Sequence, residues 1–145
     1  MGIVTVGIIP AQLLSIAFGW SHLPANARFT GFCIGMVGDL IFLISVLCMK
    51  DSWRAGVPNE GETGLVTDGI YRISRNPAFL GFDLVYMGIL LTFFHWGLLA
   101  VTVAAVAMLH LQICFVEEPF LIRAFGVEYL EYQKKVCRYL GQKSE

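Results

Sequence analysis

Four stretches of this sequence are each long enough to cross a bilayer, and almost nothing ionisable interrupts them. Gly2 to Trp20 carries no charge, Thr30 to Met49 carries one acid, Asp39, and Pro77 to Trp96 carries Asp83. Gly97 to Val116 has His110 and Gln112 as its polar members. At roughly 1.5 Å rise per residue, about twenty helical residues match a hydrocarbon core of about 30 Å. Lipid offers the backbone no hydrogen bonds, so apolar runs of this length must satisfy their own N–H and C=O groups as helices. The expected fold is therefore all-α and integral to the membrane, with about four transmembrane helices and a C-terminal amphipathic helix. A single domain would cover residues 1–145. Two N-terminal spans fill 1–49, a polar loop 50–76, a helical hairpin 77–116 and an amphipathic segment 117–145.

Composition and charge agree with that reading. Hydrophobic residues make up 57% of the chain and charged residues 14%, too little charge to cover a water-soluble domain of this size. A net charge of -1 supplies no basic excess for nucleic acid, so no nucleic-acid partner is expected. The cysteines Cys33, Cys48, Cys114 and Cys137 form no C-x-x-C pair and have no histidine at ligand spacing, so neither a disulfide framework nor a metal site is expected. Gly2 to Trp20 has no positive residue ahead of it and is read as a span, not a signal peptide. Of ten Lys and Arg, only Arg28 lies in the first connection. Lys50, Arg54, Arg72 and Arg75 lie between the second and third spans, and Arg123, Lys134, Lys135, Arg138 and Lys143 follow the fourth. Four spans place those two basic segments on one side, which the positive-inside bias makes cytoplasmic, with both termini inside. The Trp96-Gly97 junction is read as a tight turn between the last two spans.

Polar residues within spans need a partner or a purpose. Asp39 and Asp83 either hydrogen-bond between helices or line a polar pocket, and Gly31-x-x-x-Gly35 lets two helices approach closely. The one long polar connection, Lys50 to Asn76, contains turn signals at Asn59-Glu60-Gly61 and Asp68-Gly69. It ends in Arg75-Asn76-Pro77, with Asn76 suited to cap a helix and Pro77 to start it. That helix start, beside Arg72 and Arg75, offers N–H groups and positive charge to an anion. After the fourth span come Glu117-Glu118. Leu121, Phe125, Tyr129, Tyr132, Val136 and Leu140 then recur at helical spacing, which predicts an amphipathic helix that lies at the interface or caps the bundle. Its basic residues suit an anionic leaflet.

Three elements in this order carry a family resemblance. They are Arg75-Asn76-Pro77-Ala78-Phe79-Leu80-Gly81, the pair Glu117-Glu118, and Phe125-Gly126-Val127-Glu128-Tyr129-Leu130-Glu131-Tyr132. Together they resemble the isoprenylcysteine carboxyl methyltransferase family and the wider membrane methyltransferase group that includes phospholipid N-methyltransferases. The resemblance covers roughly residues 52 to 140. It implies an S-adenosylmethionine-dependent enzyme whose active site faces the cytoplasm and whose acceptor is a lipid-like or hydrophobic small molecule. Consistently, no G-x-G-x-x-G follows a predicted strand, and there is no room for a βαβ domain. By resemblance, Thr63, Gly64, Leu65, Val66, Tyr71, Asn76, Pro77, Phe79 and Glu117 bind the cofactor, and Glu117, Arg75 and Asn76 are the catalytic candidates.

The sequence departs from the family pattern at three places. Asn76 stands for a histidine, Phe79 for a tyrosine, and Ile113 for the arginine that members acting on prenylcysteine carry four residues before the glutamate pair. The first two remove polar contacts, and the third removes a cation for a substrate carboxylate. Three other readings stay open: a phospholipid, amine or thiol acceptor; an NADPH-dependent membrane reductase with a related C-terminal cofactor fold; and a non-enzymatic four-helix scaffold.

Overall fold

A computed structural model describes residues 2–19, 21–50 and 64–143. Its elements are α1 (Gly2–Phe18), α2 (Ala25–Met49), a 3-10 turn (Gly69–Arg72), α3 (Pro77–Thr92), α4 (Trp96–Gln112), a π-helical turn (Ile113–Glu117) and α5 (Glu118–Lys135). Among the described residues there is no β-strand, only an isolated antiparallel bridge between Val136 and Gln142. All four cysteines are free thiols. The turn signals at Asn59-Glu60-Gly61 and the candidate Thr63 lie outside the described residues.

Each apolar stretch forms a helix, with shifted ends. α2 begins at Ala25, five residues before the run of apolar residues suggested, and α3 stops at Thr92. The hairpin turn is therefore Phe93 to His95, not Trp96-Gly97. The reason is a cap that composition does not announce: the His95 ring occupies the N-cap position of α4, where its Nδ1 accepts from the Leu98 N–H at 3.1 Å. α2, of 25 residues, and the helical run Trp96–Lys135, of 40, are long and apolar enough to cross a bilayer; α1 and α3 are apolar but shorter. Large side chains stand exposed along α2, including Phe29 (70%), Phe32 (57%) and Leu47 (63%), a surface matched to hydrocarbon better than to water.

The chain divides into two compact units. The first comprises Met1–Leu40 and Gly81–His110. Here α2 and α3 meet along glycines. A Cβ built on Gly31 would lie 2.8 Å from the Gly88 carbonyl oxygen, and one on Gly38 would lie 2.7 Å from that of Gly81. The Gly31-x-x-x-Gly35 spacing thus serves packing within the chain. Arg28 donates from Nε to the Thr92 carbonyl at 3.1 Å, satisfying the open end of α3. Because His95 Nδ1 accepts, Nε2 carries the proton. It donates to Ser15 Oγ at 2.8 Å, and Ser15 in turn donates to the Ala11 carbonyl at 2.7 Å. Of the two acids within the apolar helices, Asp39 is exposed, whereas Asp83 is half-buried with Oδ1 sealed from solvent and unpartnered.

The second unit comprises Ile41–Leu80 and Leu111–Glu145. Its core is Tyr129, Tyr132 and Val136, with Leu65, Leu121 and Phe125 packed against them. The stripe predicted for an amphipathic helix is therefore largely the inside of this unit, and its last member, Leu140, is 66% exposed. α5 ends at Lys135 because Val136 turns extended, at φ -118° and ψ 137°. The helix is also interrupted at Gly126, whose φ of 52° and ψ of -122° suit glycine alone.

Candidate functional site

The second unit gathers two arginines around one carboxylate. Arg75, just ahead of α3, is 7% exposed, and Glu118, the first residue of α5, is 6% exposed. Arg75 NH1 lies 2.9 Å from Glu118 Oε1. Arg138, beyond the end of α5, grips the same carboxylate through both oxygens, Nε to Oε1 at 2.9 Å and NH2 to Oε2 at 3.0 Å. Two guanidinium groups thus share one carboxylate. Such fork-to-fork pairing fixes orientation as well as charge.

Backbone bonds hold the cluster in place. Arg75 donates from Nε to the Val136 carbonyl and from NH1 to the Tyr129 hydroxyl, at 3.1 and 3.0 Å. Its guanidinium carbon also lies 5.9 Å from the centre of the Tyr129 ring. The Arg75 N–H donates to the Cys137 carbonyl, and Asn76 Nδ2 donates to the Arg138 carbonyl. Tyr132 donates its hydroxyl proton to the Tyr71 carbonyl at 2.6 Å, with the Ser74 carbonyl as a second, longer acceptor at 3.3 Å. The Asn76 N–H bonds Ser74 Oγ, and the Gly141 N–H bonds the Ile73 carbonyl. Residues 136–142 therefore strap the start of α3.

The electrostatics follow from this geometry. Burial pushes the Glu118 carboxyl up, but the Arg138 hydrogen bond and the charges of Arg75 and Arg138 outweigh it and hold the group below the usual carboxylate range. Burial raises the hydroxyls of Tyr71, Tyr129 and Tyr132, with Arg75 opposing the rise at Tyr129. All three therefore stay protonated, as the donor role of Tyr132 requires. The Arg138 guanidinium is raised first by its bond to Glu118.

The expected site residues divide into two groups. Arg75, Asn76, Pro77 and Tyr71 are buried in or beside the cluster, and Leu65 packs on its tyrosines. Val66 and Phe79 are half-buried, and Gly64 is exposed. Glu117 stands apart from the arginines; it is half-buried and its Oε1 accepts from Gln112 Nε2 at 3.2 Å. Sequence reasoning missed Glu118, Arg138, Tyr129 and Tyr132 as members. No sequence signal singles out Glu118, because regular helix register points to its neighbour. Ile113 is fully buried, and α-helical spacing carries its face to Glu117. The π turn adds a residue, the Glu118 N–H bonding the Ile113 carbonyl, so that Glu118 faces inward.

With this geometry in view, the comparisons with known proteins define the class. The chain belongs to the phospholipid methyltransferase family, whose model matches residues 27–128. That stretch includes Arg75, Asn76, Glu117 and Glu118; Tyr129, Tyr132 and Arg138 lie beyond it. A curated relative, protein-S-isoprenylcysteine O-methyltransferase A of Arabidopsis thaliana, is 31% identical over 115 residues, which cover 74% of this chain and 55% of the relative. A solved structure, that of the eukaryotic intramembrane Ras methyltransferase ICMT (isoprenylcysteine carboxyl methyltransferase), superposes with a TM-score of 0.74 at 21% identity. It covers 97% of this chain and 53% of that one, and it establishes the shared fold. The chain spans about half the length of these relatives.

Proposed function

We propose that this protein is an integral membrane methyltransferase that uses S-adenosylmethionine to methylate a hydrophobic or lipid-like acceptor. Four spans with both termini on the cytoplasmic side, divided as 1–49, 50–76, 77–116 and 117–145, would put the site at the cytoplasmic face. The observation that carries the reading is the cluster in which Arg75 and Arg138 close on the buried Glu118 carboxylate, joining two of the family's separate motif elements.

The donor set fits the cofactor. Glu117 gives one hydrogen bond's worth of its capacity to Gln112, and an ionised carboxylate has about four acceptor positions. It can therefore take an ammonium group or ribose hydroxyls. Asn76 takes part as a neutral amide, and Leu65, Val66 and Phe79 supply apolar walls. When bound, the cofactor supplies an electrophilic methyl group on a sulfonium that leaves as a neutral thioether. The chain's own work is to position and desolvate. Arg75, pinned at four of its atoms or bonds, fixes the start of α3, and Glu118 holds the strap that closes over it. Ile113 is fully buried at the π turn, so no cation from that position orients an acceptor carboxylate. A carboxylate acceptor needs no general base, whereas an amine must reach the site neutral.

Calorimetric titration of S-adenosylhomocysteine into the detergent-solubilised protein, with NADPH in a parallel run, tests the reading. Saturable binding of the former alone is expected, followed by transfer of labelled methyl groups to a lipid extract. Binding of NADPH instead, or of neither ligand by folded protein, would overturn it.

A further inference from the structure

The end of α5 carries a feature that methyl transfer does not use: a cleft of about 340 Å³ lined by Glu131, Lys134, Lys135 and Lys143. The returning segment builds it. The Val136–Gln142 bridge turns the chain back, the Lys143 N–H donates to the Lys135 carbonyl at 2.9 Å, and Lys143 Nζ donates to the Gln133 carbonyl at 3.0 Å. Three ammonium groups are thereby drawn around one acid. Lys134 pairs with Glu131 only loosely, at 3.9 Å with the side chains 77% and 59% exposed, which leaves the cleft cationic.

Each lysine has an ordinary reason to be there. Lys134 and Lys135 oppose the negative end of the helix dipole, and Lys143 satisfies an open carbonyl. Those reasons do not account for the apolar side chains exposed on the same two segments. Val127 (74% exposed) and Leu130 (41% exposed) share a helical stripe with Lys134, at spacings of three and four. Leu140 is 66% exposed on the returning segment. Apolar side chains followed by lysines on one stripe match the boundary between acyl chains and headgroups, where lysine stems lie in the apolar layer and their ammonium groups reach phosphate.

We propose that this cleft binds the phosphodiester headgroup of an anionic glycerophospholipid, with Val127, Leu130 and Leu140 against its acyl region. Free phosphate would meet the same lysines but not the apolar stripe, so the lipid is the occupant. The proposal stands whether or not the chain transfers methyl groups.

Native mass spectrometry of the full detergent-solubilised chain tests it, using phosphatidylglycerol and phosphatidylcholine with identical acyl chains. Phosphatidylglycerol is expected to bind about tenfold more tightly or better, as three surface lysines would give. The triple variant K134Q/K135Q/K143Q should lose the preference, and K134R/K135R/K143R should keep it. If the glutamine triple fails to fold, the three single Lys→Gln variants should each lose part of the preference. Equal binding of the two lipids would overturn the proposal, as would a preference unchanged in the glutamine variants or lost equally in the arginine triple. Displacement of the bound lipid by millimolar inorganic phosphate would assign the cleft to free phosphate instead.

Discussion

Glu118 answers two buried or half-buried arginines with one carboxylate, so its removal leaves cations without a partner. Glu118→Gln keeps the shape of the side chain and abolishes the charge. It should destabilise the protein by about 3–5 kcal/mol, read as a fall in the thermal midpoint in detergent. The same group sets an acid limit. Its folded-state pKa lies below the unfolded value of about 4.3. Its contribution is therefore fully present above that value and lost as pH falls through the folded one. The thermal midpoint should hold between about pH 7 and pH 5 and drop below about pH 4. Glu118→Gln should lack this component, and a parallel drop in both proteins would refute the assignment. Glu117 makes the opposite prediction. Half-buried and bonded only by Gln112 among the contacts described, it should be replaceable by alanine with little change in stability, while affinity for S-adenosylhomocysteine falls at least about tenfold, the worth of one charge-assisted hydrogen bond. Wild-type affinity in Glu117→Ala would remove it from the site.

At the level of elements, the π turn decides which glutamate faces inward. Deleting Phe115, whose side chain is 74% exposed, reduces the spacing from Ile113 to Glu118 to four and should restore regular α-helix while keeping Glu118 on the buried face. The deletion protein is expected to unfold at or above the wild-type temperature yet bind S-adenosylhomocysteine more weakly, because such turns are retained at functional sites. A steep loss of stability would mean that the turn supports packing. This element also marks the boundary of what the sequence reveals. The apolar runs disclose the helices, because lipid leaves the backbone no alternative, and Asn76-Pro77 discloses where α3 begins. Thr92 and His95 are less legible, since a histidine cap leaves no compositional trace. Register beyond Ile113 is illegible for the same kind of reason: a single inserted residue looks like any other helical residue. The tyrosine stripe of α5 was visible as a stripe, but whether it faced membrane or core depends on Arg75, which lies 54 residues from Tyr129 in sequence.

For the whole molecule, closure of the site depends on the short stretch after α5. A chain ending at Lys135 would retain every helix but lose the Arg138 grip on Glu118 and the bonds to Arg75 and Asn76. It is expected to insert into membranes normally, shown by protease protection, and to bind no S-adenosylhomocysteine; retained binding would show that the strap is dispensable. The order of synthesis gives this arrangement a further meaning. On the ribosome, Arg75 is made well before Arg138, and the apolar helices ahead of it can begin to insert before residues 136–142 are translated. A nascent chain therefore passes through a stage with its helices in lipid and its binding face unfinished. The binding face is completed only once residues 136–142 have followed α5, so helix insertion and completion of that face are separate events.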